Sequence, residues 1–191
     1  VVLAKVNDDG TFAAAVMINC ETDFVAKNSD FIAYAQTILD LAVANKAKDA
    51  DTLKAMNLNG RTVDESITDQ TGVIGEKIQM GRYEIVEAAS AFAYIHPGNR
   101  IATIAGLNKA GDFNAVGKDV VMQIAAMAPI ALNQESIPQD VIDREIEVGK
   151  DQARQEGKPE AMLEKIAVGK LNKFFKENTL LNQAFIKDTK I

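Results

Sequence analysis

The chain has 191 residues, 47% of them hydrophobic and 25% charged, so it can bury a real core as one domain or two small ones. Its net charge of -6 and its lack of Trp argue against a nucleic-acid partner, because phosphate backbones attract basic faces and single strands stack on aromatic side chains. One Cys excludes an internal disulfide or a cysteine metal cluster and fits a reducing compartment, and no apolar run has the length of a membrane span.

The first quarter of the chain predicts two strands, a polar turn and a helix. Alternating segments flank the Asp-Asp-Gly turn at residues 8–10, a pattern typical of a β-hairpin. The polar turn places Asp23 beside Phe24, and Ser29-Asp30 can cap or charge the start of the next helix. That helix is predicted from apolar side chains at helical spacing, which are Phe31, Ala35, Ile38 and Ala42.

The middle of the chain continues with short elements. Residues 51–57 have a helical pattern, and Asn59-Gly60 predicts a turn. Residues 62–75 predict a further helix, and the alternating segment 77–87 predicts a strand. We expect that strand to pair with the segment around Phe92.

An internal repeat is the main organisational feature. Residues from about 3 to 43 match, without a gap, the residues that lie 89 positions further along. Both copies keep an Asp-Phe pair at the polar turn, Asp23-Phe24 in the first and Asp112-Phe113 in the second. The second copy also carries His96 at its hairpin tip, directly before Pro97-Gly98-Asn99. The repeat predicts two related subdomains.

The last third of the chain is more polar. Two thin apolar stripes, one on each side of a break at residues 155–159, predict an antiparallel helical hairpin. The apolar residues of the tail predict that it packs back on the second subdomain.

The predicted fold class is α+β, with two duplicated subdomains of small antiparallel sheet packed on helices, plus a projecting antiparallel helical hairpin. Its predicted boundaries are 1–88 for the first subdomain, 89–135 together with 178–191 for the second, and 136–177 for the hairpin, a coiled coil.

Residues suited to catalysis are nearly absent. His96 is the only His, so a paired metal site or a His-assisted nucleophile cannot be assembled. Residues 106–111 have the glycine spacing of a phosphate-binding loop, but Asp112 stands where that loop requires Lys, and its carboxylate would repel phosphate. The sequence therefore predicts no catalytic residue, no metal site and no cofactor.

Two interpretations of Asp23 and Phe24 stay open on spacing alone. In the first, Asp23 accepts hydrogen bonds from free N–H groups at a helix start while Phe24 packs into its own subdomain. In the second, Phe24 enters another protein. The repeat favours the first, because Asp112-Phe113 occupies the same place in the second copy.

The segment Asn19-Cys20-Glu21-Thr22-Asp23-Phe24-Val25-Ala26-Lys27-Asn28 resembles the signature of the elongation factor Ts family along its whole length. The layout from Val1 to the tail is also similar to that of the family core, without the family's N-terminal helical module and C-terminal helix. Because the chain begins at Val1 rather than Met, we expect a fragment or a processed form.

This resemblance implies a function without catalysis by the chain itself. It implies a guanine-nucleotide exchange factor that binds elongation factor Tu during translation elongation, in the cytoplasm or in an organellar matrix. Thr22, Asp23, Phe24 and Val25 would form the partner-binding element, and Phe24 would displace the Mg²⁺ bound by the partner. His96 would make a second contact, with the third domain of the partner.

An alternative from another class is a structural interaction protein. In that case the chain would be an obligate homodimer or a scaffold that assembles through its sheets and hairpin, without exchange activity. Copurification of a GTPase would separate the two functions. A homodimer is also compatible with the exchange function.

Overall fold

The computed structural model describes residues 1–190, and the chain divides into two compact units, Val1–Ala125 and the segment from Ala126 onward. The strands are β1 (Val2–Val6), β2 (Phe12–Asn19), β3 (Asn57–Leu58), β4 (Arg61–Thr62), β5 (Gln79–Glu87), β6 (Ser90–Ile95) and β7 (Ala102–Leu107). The helices are α1 (Asp23–Ala26), α2 (Ser29–Ala44), α3 (Ala50–Ala55), α4 (Val63–Ile74), α5 (Asn114–Met127), α6 (Gln139–Gln155) and α7 (Glu160–Asn178), with a short 3₁₀ helix at Gln134–Ser136. Small antiparallel sheets with helices confirm the α+β class.

A three-stranded sheet organises the first unit. β2 is its central strand and pairs antiparallel with β1 and with β5, and a register shift lies between Met17 and Ile18. The predicted pairing of β5 with the segment around Phe92 is wrong, since β5 pairs with β2 instead. β2 buries Phe12, Ala14, Val16 and Ile18 on one face, and as the central strand it pairs its backbone N–H and C=O groups at both edges.

The internal repeat is visible in the hairpin registers. Val2 lies opposite Met17 in the first hairpin, and Ala91 lies opposite Gly106 in the second. Both partners are displaced by the offset of 89 found in the sequence. The repeated sequence therefore folds into the same hairpin twice, as β1–β2 and as β6–β7.

Helix α2 packs its apolar stripe against the three-stranded sheet. Asn28, rather than Ser29 or Asp30, caps this helix, because its side-chain oxygen accepts from the backbone N–H of Asp30 at 2.7 Å. The buried residues of the stripe are Phe31, Ala35, Ile38, Leu39, Ala42 and Val43. The four residues predicted from helical spacing are all among them.

The segment between the repeats also follows the local signals. α4 begins at a capping box formed by Thr62 and Glu65, and it ends at Gly75, whose φ of +78° is the left-handed conformation that glycine tolerates. Asn59 and Gly60 both have positive φ in the turn that joins β3 to β4. The helix predicted over 51–57 spans Ala50–Ala55 instead.

The second unit contains the predicted helical hairpin. Helices α6 and α7 approach closely at Gly149, where an added Cβ would lie 3.2 Å from the Cα of Ala167. A small buried cluster of Ile137, Leu171 and Phe175 lies at the base of the hairpin. None of the helices that the structure describes is both long and apolar enough to cross a membrane.

The tail after α7 runs beside the segment that follows α5. The N–H groups of Leu180 and Leu181 donate to the carbonyls of Ala131 and Leu132, both at 3.0 Å. Leu181 is nevertheless 68% exposed, so the tail is attached through its backbone at this point. The three-segment division proposed from the sequence stays a prediction.

Candidate functional site

The segment that links β2 to α2 folds as a single helical turn, α1, between two side-chain caps. Thr22 has extended backbone angles, φ -118° and ψ 156°, and its Oγ1 accepts from the N–H of Val25 at 3.4 Å. After Lys27, Asn28 caps the next helix. The sequence of the motif thus specifies a short, doubly capped turn.

A carboxylate from outside the motif holds this turn. Oε2 of Glu76 accepts from the backbone N–H groups of Glu21 and Thr22, both at 3.0 Å, and Oε1 accepts from the Thr22 hydroxyl at 2.6 Å. These hydrogen bonds, led by that of the Thr22 hydroxyl, lower the pKa of Glu76. Glu76 could not be predicted from the sequence, because it lies 54 residues from Thr22 and no local pattern indicates a contact over that distance.

Asp23 lies in the first turn of α1 but does not cap it. Its carboxylate pairs with Lys27 at 2.7 Å across one helical turn, while Thr22 supplies the cap. The hydrogen bond and charge of Lys27 lower the pKa of Asp23, and Arg100 adds a weaker effect of the same sign. Because the pair is exposed, it orders the turn more than it stabilises the fold.

Phe24 and Val25 point to different surroundings. The side chain of Phe24 is 84% exposed, the largest exposure among the exposed large hydrophobic residues of the described chain. Val25 is partly buried and packs against the core of the first unit. Phe24 therefore does not pack into its own subdomain, in contrast to the first of the two interpretations left open by the sequence.

The equivalent residue of the second copy behaves differently. Phe113 is partly buried, and its ring lies 2.9 Å from where a Cβ on Gly111 would be. Both copies have the Asp-Phe pair, but the Phe is highly exposed in the first copy and partly buried in the second.

His96 lies at the end of β6, at the tip of the second hairpin. Its Nδ1 is 2.9 Å from the Tyr94 hydroxyl, and the residue is exposed. This contact restrains the orientation of the ring. Gly98 and Asn99 have positive φ in the turn, which reverses the chain toward Ile101.

The motif and the hairpin tip border the same surface cleft of the first unit. Thr22 and Asp23 line the cleft on one side and Asn99 and Arg100 on the other, and its volume is about 410 Å³. The N–H of Val2 donates to the carbonyl of Asn99 at 2.7 Å, which fixes the tip to the sheet. Part of the motif and the turn after His96 thus line one cleft, whereas Phe24, Val25 and His96 do not line it.

The described part of the chain offers no cluster of three or more His, Cys, Asp or Glu side chains arranged to hold a metal ion. Cys20 is partly exposed, and its thiol donates to the carbonyl of Thr22 at 3.3 Å. The site consists of a rigid turn with one protruding aromatic ring. Such an arrangement can insert into an apolar pocket of another protein.

Comparison with known proteins gives a consistent result. A family model described as "Elongation factor TS" matches residues 21–191. "Elongation factor Ts" of Christiangramia forsetii is 51% identical over 189 residues, which is 98% of this chain and 68% of that protein. Proteins of the same name from Porphyromonas gingivalis and Amoebophilus asiaticus are 47% and 48% identical, with coverage of 96% and 97% of this chain and 67% and 68% of theirs.

Proposed function

This chain belongs to the elongation factor Ts family of translation elongation factors, and we propose that it binds elongation factor Tu and promotes the release of GDP from that GTPase. The observation that carries the proposal is the side chain of Phe24, which is 84% exposed at the tip of a doubly capped turn. An exposed aromatic ring on a rigid support is the usual form of an interface anchor.

The proposed mechanism is allosteric, with no covalent step. Phe24 enters an apolar slot in the GTPase domain of the partner, and the resulting shift dislodges the Mg²⁺ that bridges protein and nucleotide phosphates. GDP then leaves faster, because its phosphates lose a major source of charge stabilisation. Linkage requires that this chain and GDP weaken each other's binding by the same factor.

The neighbours of Phe24 have separate roles in this proposal. Thr22 caps the turn, Val25 packs the turn against the core, and the pair of Asp23 with Lys27 orders its exposed face. A turn fixed before binding loses little conformational entropy on insertion, so more of the contact energy is available for distorting the partner.

His96 makes the second contact in this proposal. It is exposed and directly precedes the turn whose Asn99 and Arg100 border the same cleft as the motif. A second fixed point on the partner lets the insertion of Phe24 act with leverage. Without that point, the partner could move away as the ring enters.

The proposal is tested by comparing affinities for two forms of elongation factor Tu. Isothermal titration would measure binding of this chain to the nucleotide-free and to the GDP-bound protein. We expect the nucleotide-free form to bind at least tenfold more tightly, because only differential affinity can expel the nucleotide. Equal affinities, or self-association of the chain with no binding to either form, would instead favour a scaffold.

A further inference from the structure

The contacts of Glu76 extend the functional element beyond the motif itself. Glu76 lies in a separate segment, after α4, yet its carboxylate accepts three hydrogen bonds from the two residues that precede Asp23. Bonds of this kind, to a charged acceptor, are shorter and stronger than neutral ones.

The position of Glu76 is itself fixed on both sides. The residue before it, Gly75, closes α4 in the left-handed conformation with a hydrogen bond to the carbonyl of Thr71 at 3.0 Å. Two residues after it, Ile78 is buried, and its N–H donates to the hydroxyl of Thr71, also at 3.0 Å. The carboxylate is thus presented by a loop whose backbone is hydrogen-bonded to α4 on both sides of Glu76.

The Thr22 hydroxyl connects Glu76 to the helical turn. This hydroxyl donates its proton to Glu76, so its lone pairs face the N–H of Val25, from which it accepts. Glu76 therefore determines the orientation of the cap as well as the path of the backbone at Glu21 and Thr22. Phe24 projects from this turn, and its direction depends on both.

We propose that Glu76 is a positioning residue for nucleotide exchange, which sets the direction of the Phe24 ring through its hydrogen bonds to the Glu21–Thr22 backbone and the Thr22 hydroxyl. This inference rests on the proposed function. Glu76 does not need to touch the partner. It acts by reducing the range of orientations that the exposed ring adopts before binding.

The test uses Glu76→Gln, whose amide oxygen can still accept from the two backbone N–H groups. Its NH₂ group then faces the Thr22 hydroxyl, which loses the acceptor to which it donates and is turned away from its role as cap of Val25. Glu65→Gln is a control, because the Glu65 carboxylate also accepts from the backbone N–H of a capping Thr, Thr62, at the opposite end of α4. We expect Glu76→Gln to slow release of fluorescent GDP from elongation factor Tu about tenfold at saturating concentrations. Glu65→Gln should leave that rate unchanged.

Two further measurements separate positioning from general stability. In a Phe24→Ala background, Glu76→Gln should slow release less than twofold, since the ring through which it acts is gone. In the wild-type chain, the amide NMR signal of Thr22 should titrate with the Glu76 carboxyl, whose pKa is lowered. This titration does not require the variant to fold.

The inference is overturned if elongation factor Tu releases GDP as fast with Glu76→Gln as with the wild-type chain. It is equally overturned if the variant slows release by the same factor with and without Phe24, or if the Thr22 amide does not titrate. Failure of the proposed function looks different: the wild-type chain itself would not accelerate release, while the Thr22 amide would still report the contact.

Discussion

Replacement of Phe24 by Ala separates interface energy from folding energy. The side chain is 84% exposed, so we expect the free energy of unfolding to fall by only ~0.5 kcal/mol, against the 3–5 kcal/mol typical of a buried Phe. At an interface, a fully buried aromatic anchor is worth roughly 2–4 kcal/mol, which corresponds to an affinity loss of about 30- to 800-fold.

The matched variant is Phe113→Ala, because Phe113 is the repeat equivalent and is partly buried. We expect it to lower the free energy of unfolding by roughly 1–3 kcal/mol, with GDP release from elongation factor Tu close to wild type. Thermal melts and stopped-flow release with fluorescent GDP measure the two quantities on the same preparations. The reasoning is refuted if Phe24→Ala abolishes the cooperative melt, or if both variants lose exchange equally.

Three other predictions address separate parts of the chain. His96→Ala should weaken binding to elongation factor Tu about three- to tenfold without changing the melting temperature, as titration calorimetry can measure. Hydrogen bonds from Thr11 lower the pKa of Asp9 to about 2, so its contribution to stability is present above about pH 3.8 and is lost as the pH falls toward 2. Asp9→Asn should therefore flatten this acid limb in denaturation experiments. Gly149→Val should destabilise the α6–α7 hairpin, where a Cβ would lie 3.2 Å from α7, while Gly169→Ala, in open space, should stabilise it by ~1 kcal/mol.

Each of these predictions has a clear contrary result. Wild-type affinity after loss of the His96 imidazole would remove the hairpin tip from the proposed interface. An unchanged acid limb in the Asp9 variant would mean that the Thr11 hydrogen bonds do not survive in solution. A hairpin that tolerates Val at Gly149 would show that α6 and α7 are not in close contact there.

The repeated elements could be predicted from the sequence because their signals are local. Hairpin turns, the alternation of β1 and β2, and the apolar stripe of α2 each depend on residues only a few positions apart. The offset of 89 also predicts the second hairpin, whose register is the same. Local chemistry and a duplicated sequence therefore account for most of the element assignments.

The features that could not be predicted from the sequence depend on contacts between distant segments. The sequence could not distinguish pairing of β5 with β2 from pairing of β5 with β6, the next strand along the chain. An alternating pattern predicts a strand but does not indicate which strand it pairs with. The role of Glu76 could not be predicted either, since its contacts to Thr22 arise only when the segment after α4 folds next to the segment after β2. Phe24 is exposed and Phe113 is partly buried, although their turns are similar in sequence. This difference arises from tertiary contacts and could not be predicted from the sequence.

If this chain speeds nucleotide exchange through Phe24, the effect appears in the rate of GDP release from elongation factor Tu. Elongation factor Tu loaded with fluorescent GDP would be mixed at fixed Mg²⁺ with increasing concentrations of this chain and excess unlabelled GDP. We predict that the wild-type chain accelerates GDP release in a saturable manner. With Phe24→Ala at the same concentration, GDP release should be slower by a factor of at least ~10. No acceleration by the folded wild-type chain, or equal acceleration by Phe24→Ala, would contradict this mechanism.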